Sequence, residues 1–139
     1  MTPKQLCVVL AGGFVGGLVR YETVRHWSAA AGAIPWSTFA VNTAGAFILG
    51  LVVIVVLEVF GPSKYFRLLV GTGFCGALTT FSSVAVQTDE LGAHGHLGGA
   101  IGYCAVSLVA GLAAVALGAA LGRRLPPTAS RRTMTAGST

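Results

Sequence analysis

Residues 71–88 read Gly71-Thr72-Gly73-Phe74-Cys75-Gly76-Ala77-Leu78-Thr79-Thr80-Phe81-Ser82-Ser83-Val84-Ala85-Val86-Gln87-Thr88, an uncharged run dense in glycines and hydroxyls. It is long enough to cross a bilayer and too rich in helix-breaking and hydrogen-bonding residues for a plain lipid anchor. In hydrocarbon every backbone amide and carbonyl needs a partner, so irregular backbone at membrane depth persists only inside protein or beside a hydrated path. The Gly-Ala-Leu-Thr-Thr segment at mid-span, residues 76–80, therefore predicts a broken helix whose freed carbonyls bind something.

The rest of the chain supports a membrane setting. It has 139 residues, is 54% hydrophobic and only 9% charged, and has a mean hydropathy of +0.78. That is too little charge to coat a water-facing surface, so the expectation is an all-α integral membrane protein with one domain over residues 1–122. Cys7, Cys75 and Cys104 lie in apolar runs and read as small hydrophobes, with neither a disulfide framework nor zinc spacing. The net charge of +5 does not predict a nucleic-acid partner, because the cations are scattered between apolar runs without aromatic interleaving. An N-terminal signal peptide is not expected either. The first run is broken by glycine pairs, and Arg20, Glu22 and Arg25 precede the small residues Ser28 to Ala31.

Four apolar stretches, about 5–21 (uncharged from Gln5 to Val19 and extendable through Arg20 and Tyr21), 36–57, 68–88 and 99–122, approach the ~20 residues a helix rising 1.5 Å per residue needs to span hydrocarbon. Gly12, Gly13, Gly16 and Gly17 give the first span two overlapping small-xxx-small patterns, read as helix packing. Pro35 and Trp36 mark the start of the second. Inside it, Asn42 is an amide in hydrocarbon, the kind of residue that glues helices or lines a hydrated path, and Thr38 lies one turn before it on the same face. Gly61-Pro62-Ser63 is a turn, and Asp89-Glu90 closes the third span. His94 and His96 in the next connection have no third ligand nearby and read as solvated loop residues. In the fourth span Tyr103 and Ser107 share a face, with Gly111 a further turn on. Residues 123–139 form a basic tail expected to be disordered.

Four spans place both termini and the Gly61–Arg67 connection on one side. Lys4, Lys64, Arg67, Arg123, Arg124, Arg131 and Arg132 lie there, against Arg20 and Arg25 on the other. The positive-inside rule then predicts cytoplasmic N and C termini.

Three pieces together resemble the small fluoride channels called Fluc or CrcB proteins. They are Gly12-Gly13-Phe14-Val15-Gly16-Gly17-Leu18-Val19-Arg20-Tyr21, Thr38-Phe39-Ala40-Val41-Asn42-Thr43-Ala44-Gly45-Ala46-Phe47, and Gly71 to Ser82. The resemblance implies an antiparallel, dual-topology-type dimer in the inner membrane of a bacterium, with two narrow fluoride pores along the subunit interface. It also implies a structural Na+ held at the break by the backbone carbonyls of Gly76 and Thr79 from both subunits. Carried over by motif, Phe81 would present its ring edge to fluoride, Asn42 would donate its amide, and Ser82 and Ser83 would line a polar track. Thr38, Tyr103 and Ser107 would be further lining groups, and Arg20 would draw anions into a vestibule.

Two positions depart from the family pattern. Where it commonly continues Phe-Ser-Thr-Phe, this chain has Val84, and where an acidic residue usually follows, it has Gln87. Valine offers no polarised ring edge. The seven-to-two cation bias also favours one fixed orientation, so the chain is expected to pair with a different, oppositely inserted subunit. Two other classes fit a four-span protein less well. A small multidrug-type exporter needs an intramembrane carboxylate, but Glu58, Asp89 and Glu90 sit at span ends. A non-conducting scaffold would not need Asn42 or the Thr79 to Ser82 cluster. No nucleophile with a base, metal cluster or phosphate loop suggests an enzyme.

Overall fold

The computed structural model describes residues 1–30, 32–55 and 64–125, and every regular element among them is helical. The first helix, Pro3–His26, opens on a capping box in which the Thr2 hydroxyl accepts from the Gln5 amide at 3.4 Å and Gln5 Oε1 accepts from the Thr2 amide at 3.0 Å. It continues past the apolar run ending near Tyr21. Thr23 Oγ1 donates to the Val19 carbonyl at 2.8 Å, and His26 lies 3.2 Å from the Glu22 carboxylate one turn back. The second helix, Trp36–Ile54, begins after Pro35, with the Trp36 ring edge-on to Phe39 at 5.7 Å. Glu58, the Gly61-Pro62-Ser63 turn and residues 126–139 of the predicted tail lie outside the described residues.

The third span is composite. A helical turn at Lys64–Phe66 passes into a π-helical stretch, Arg67–Cys75, then back to α geometry over Gly76–Leu78. Thr79 (φ −86°, ψ 149°) and Thr80 (φ −151°, ψ 116°) are extended, and the second half-helix is Phe81–Ala93. The predicted break is therefore present, at the two threonines. The second half runs beyond Asp89-Glu90 and ends where Gly95, in the left-handed region at φ +81°, lets the Gly95 amide reach the Gly92 carbonyl and the His96 amide reach that of Leu91, each at 3.0 Å. The fourth helix is Leu97–Arg123. All four spans, Lys64–Ala93 being the third, are long and apolar enough to cross a membrane. The chain is an all-α multi-pass membrane protein.

Two glycine seams hold the spans together. Gly12 and Gly16 bring the first helix against the backbone of the third span, where an added Cβ would collide with the Leu69 and Phe74 carbonyls. In return, a Cβ at Gly73 would lie 2.7 Å from the Val9 carbonyl oxygen. In the second seam, Gly50 packs on the Val115 carbonyl and Gly118 on that of Phe47, joining the second helix to the fourth. Where lipid is as apolar as leucine, such backbone-to-backbone contact is a main source of helix association. The second half of the third span lies against the fourth helix through Val84, Leu91, Ala100 and Tyr103, with Phe39 packed on them. The first seam thus holds the first half of the third span, the apolar cluster holds the second half, and the break falls between them.

Candidate functional site

The break is clamped from the second helix. Asn42 Oδ1 accepts from the Thr80 amide at 2.7 Å, and Asn42 Nδ2 donates to the Thr80 carbonyl at 3.0 Å. This reciprocal pair fixes the orientation of the amide, since Thr80 N–H needs an acceptor and its carbonyl a donor. One turn on, Gly45 leaves room for Thr79, whose Cγ2 would sit 2.5 Å from an added Cβ. Thr79 itself closes the first half-helix, its amide and its hydroxyl both donating to the Cys75 carbonyl at 3.0 and 2.9 Å.

Thr80 begins the second half-helix. Its hydroxyl accepts from the Ser83 amide at 3.2 Å and lies 3.1 Å from both the Ser82 and Ser83 hydroxyls. Three hydroxyls thus converge at one helix start. Thr80 is a site residue that the sequence does not single out, although a threonine three residues before Ser83 at a helix start is the pattern of a hydroxyl N-cap. Among the described residues no backbone N–H outside the helices reaches the Gly76 or Thr79 carbonyl. The outer face of Gly76 is open, with nothing within 4 Å of an added Cβ.

Beside the break lies a groove of about 320 Å³ between the second and fourth helices. Asn42, Thr79, Thr80 and Phe81 line one side, and Ser107 and Gly111 the other. The Ser107 hydroxyl is buried in this wall and has no hydrogen-bond partner among the described residues. A buried hydroxyl without a partner costs roughly 1–3 kcal/mol, so its presence calls for a ligand or water at that point. Phe81 stands 67% exposed at the groove mouth, an aromatic surface a lone chain leaves bare.

The remaining predicted residues fall into a second group. Gln87 Nε2 donates to Thr38 Oγ1 at 2.9 Å, and the Tyr103 hydroxyl donates to Gln87 Oε1 at 3.0 Å. Thr38 and Tyr103 are buried, so Gln87, read from the sequence only as a departure, is the hub of an internal network. Val84 is 3% exposed, packed in the subunit interior with Leu91 and Tyr103 while touching the groove wall. Arg20 is half-buried on the first helix, away from the groove, and makes no ion pair among the described residues. His94 stays at the helix end, its Nδ1 2.8 Å from the Glu90 carbonyl. No group of three or more His, Cys, Asp or Glu side chains suited to a metal occurs among the described residues.

Comparison with known proteins places the chain. The family model described as "CrcB-like protein, Camphor Resistance (CrcB)" matches residues 7–119. The chain is 45% identical over 118 residues to "Fluoride-specific ion channel FluC 3" of Streptomyces avermitilis, covering 85% of this chain and 58% of that protein. It is 43% identical over 122 residues to "Fluoride-specific ion channel FluC 1" of Mycolicibacterium paratuberculosis, covering 88% of this chain and 92% of the relative. "Fluoride-specific ion channel FluC" of Acidobacterium capsulatum is 40% identical over 124 residues, 98% of its length. With its four spans, its broken third helix and a family match over nearly all of its described residues, the chain belongs to the CrcB-like family.

Proposed function

We infer that this chain is a subunit of a passive, fluoride-selective channel that exports the ion from the bacterial cytoplasm across the inner membrane and so relieves its toxicity. The observation that carries this reading is the groove at the clamped break, with its unpartnered Ser107 hydroxyl and bare Phe81 ring, in a chain whose relatives are named fluoride channels. Fluoride is small and strongly hydrated, so a path must replace its water with several donors held in place. Hydroxyls and amides do so without trapping the ion as a ring of arginines would. Ser107, Ser82 and Ser83 can donate, and Asn42 keeps one amide proton beyond the one given to Thr80. Phe81 would turn the positive edge of its ring toward the anion. Arg20 would raise the local anion concentration by its field.

The break also fits the structural Na+ that the family resemblance implies. Carbonyl oxygens are hard, neutral donors, and those of Gly76 and Thr79 are released by the break. One chain offers two such oxygens, too few to enclose a hard cation, and a second subunit bringing its own pair would raise the set to four. Bound there, the ion would offset the negative C-terminal end of the first half-helix of each subunit and tie the subunits together.

The partner is an antiparallel four-span subunit, with this chain inserted N and C termini inward. A phenylalanine at position 84 would have the adjoining groove to enter, but Val84 puts no ring there, so the pore it faces should conduct poorly in a homodimer. We therefore favour a heterodimer with a differently oriented homologous chain. Growth on fluoride of a bacterial strain stripped of its own fluoride export tests this. Co-expression with the partner should restore growth and this chain alone should not. No rescue under either condition would contradict the fluoride reading, and full rescue by this chain alone would contradict the heterodimer.

A further inference from the structure

Between Arg67 and Cys75 the third span is wound as a π-helix for nine residues. Such winding closes its hydrogen bonds five residues on instead of four, is rare, and ordinarily lasts a single turn before α geometry returns. A stretch of about two turns needs something to hold it. Gly71 and Gly73 weaken the α alternative, being poor helix formers, but a glycine does not by itself select π winding over an open coil.

The first helix supplies the missing constraint. Gly12 and Gly16 stand four residues apart on it, and the carbonyls that an added Cβ at each would meet, those of Leu69 and Phe74, stand five apart. In an α-helix each residue turns by about 100°, so groups four apart differ by about 40° but groups five apart by about 140°. Leu69 and Phe74 can both face the first helix because the π turn brings residues five apart into one row. A step of four on one helix is thus matched to a step of five on the other. Gly73 locks the match from the opposite side, where its own Cβ would lie 2.7 Å from the Val9 carbonyl oxygen and 3.0 Å from the Gly13 nitrogen.

The winding ends where the break begins. The Gly76 amide returns only three residues, to the Gly73 carbonyl, and the Thr79 amide four, to that of Cys75. Gly76 and Thr79 therefore follow directly on the π stretch, and their direction about the helix axis depends on how many residues its turns hold. Relaxing one π turn to an α turn would swing both carbonyls round the axis by roughly 100°. We propose that Gly12 and Gly16 are positioning residues for the Na+ site: by holding Arg67–Cys75 in π winding, they aim the Gly76 and Thr79 carbonyls at the cation. This rests on the Na+ reading above and extends it to a helix that supplies none of the ion's oxygens.

The test is the melting temperature of the purified assembly, this chain alone or with its partner, prepared and held throughout in Na+ or in N-methylglucamine at equal ionic strength. In wild type, Na+ should raise the melting temperature by at least about 4 °C, because an ion bound only by the folded assembly stabilises it. Gly16→Ala drives a Cβ into the Phe74 carbonyl and should lose most of that rise. Gly50→Ala is the control. It drives a Cβ into the Val115 carbonyl in the other seam, away from the π turns, so it should lower the melting temperature in both salts and keep the full rise with Na+. A purely structural role for Gly16 would give that same pattern. If Gly16→Ala yields no folded protein, Gly73→Ala intrudes less deeply on the same seam and should also lose most of the rise. A rise with Na+ that persists in the folded variant of the first seam, or is lost equally in Gly50→Ala, overturns the positioning role. A wild type indifferent to Na+ overturns the Na+ reading and this inference with it.

Discussion

The seam between the second and fourth helices and the break in the third span are built from opposite materials. At the seam, Gly50 and Gly118 let two backbones touch, and no side-chain hydrogen bond joins the helices there among the described residues. At the break, 38 residues separate Asn42 from the backbone it clamps, and the nearby contacts are amides and hydroxyls. The dry seam has one way to fit, because nothing polar competes for it. The wet break has spare donors and open carbonyls, which is what an ion path needs and what a fold alone does not. Substitution at the seam should therefore act on folding first, and substitution at the break on ion flux first.

Substitution at the seam should have the largest effect on folding. Gly118→Leu drives a side chain into the Phe47 carbonyl, where only backbone could yield. It should cost more than about 3 kcal/mol and abolish monodisperse protein after detergent extraction. Asn42→Leu keeps the volume but leaves the Thr80 amide and carbonyl unpaired, at a cost of about 2 to 3 kcal/mol. It should give folded protein of lowered melting temperature and no fluoride efflux; unchanged stability would mean the clamp is not what holds the break. Ser107→Ala sharpens the contrast from the other end. It removes a buried hydroxyl that has no partner, so stability should hold or rise by up to about 1 kcal/mol, while efflux should fall about tenfold. A destabilised Ser107→Ala would show that the hydroxyl serves the fold instead.

Much of this was legible in the sequence, for identifiable reasons. Hydropathy marks the four spans because lipid imposes length and apolarity on each helix independently. The broken helix is legible because Gly76 to Thr80 combines a helix-weakening glycine with hydroxyls that favour caps. Asn42 announces itself by its cost in hydrocarbon, but the sequence does not say that Thr80 is what it holds, since that pairing depends on how Gly45 seats the second helix against Thr79. The Thr38–Gln87–Tyr103 network was hidden for the same reason: its members come from three spans, and only their packing makes Gln87 a hub. The burial of Val84 was not legible either, because the period of a single half-helix does not say which face meets the fourth helix. The extension of the helices to His26 and Ala93 followed from local hydrogen bonds at their polar ends, which hydropathy does not register.

Fluoride flux through purified protein tests the central claim most directly. With the protein reconstituted into liposomes under an outward fluoride gradient and a fluoride electrode outside, the conducting assembly should release fluoride rapidly, leave chloride behind, and lose that release on Ser107→Ala without losing its fold. Equal release of chloride, or fluoride release untouched by Ser107→Ala, would contradict the assignment of the groove at the break as the path of the ion.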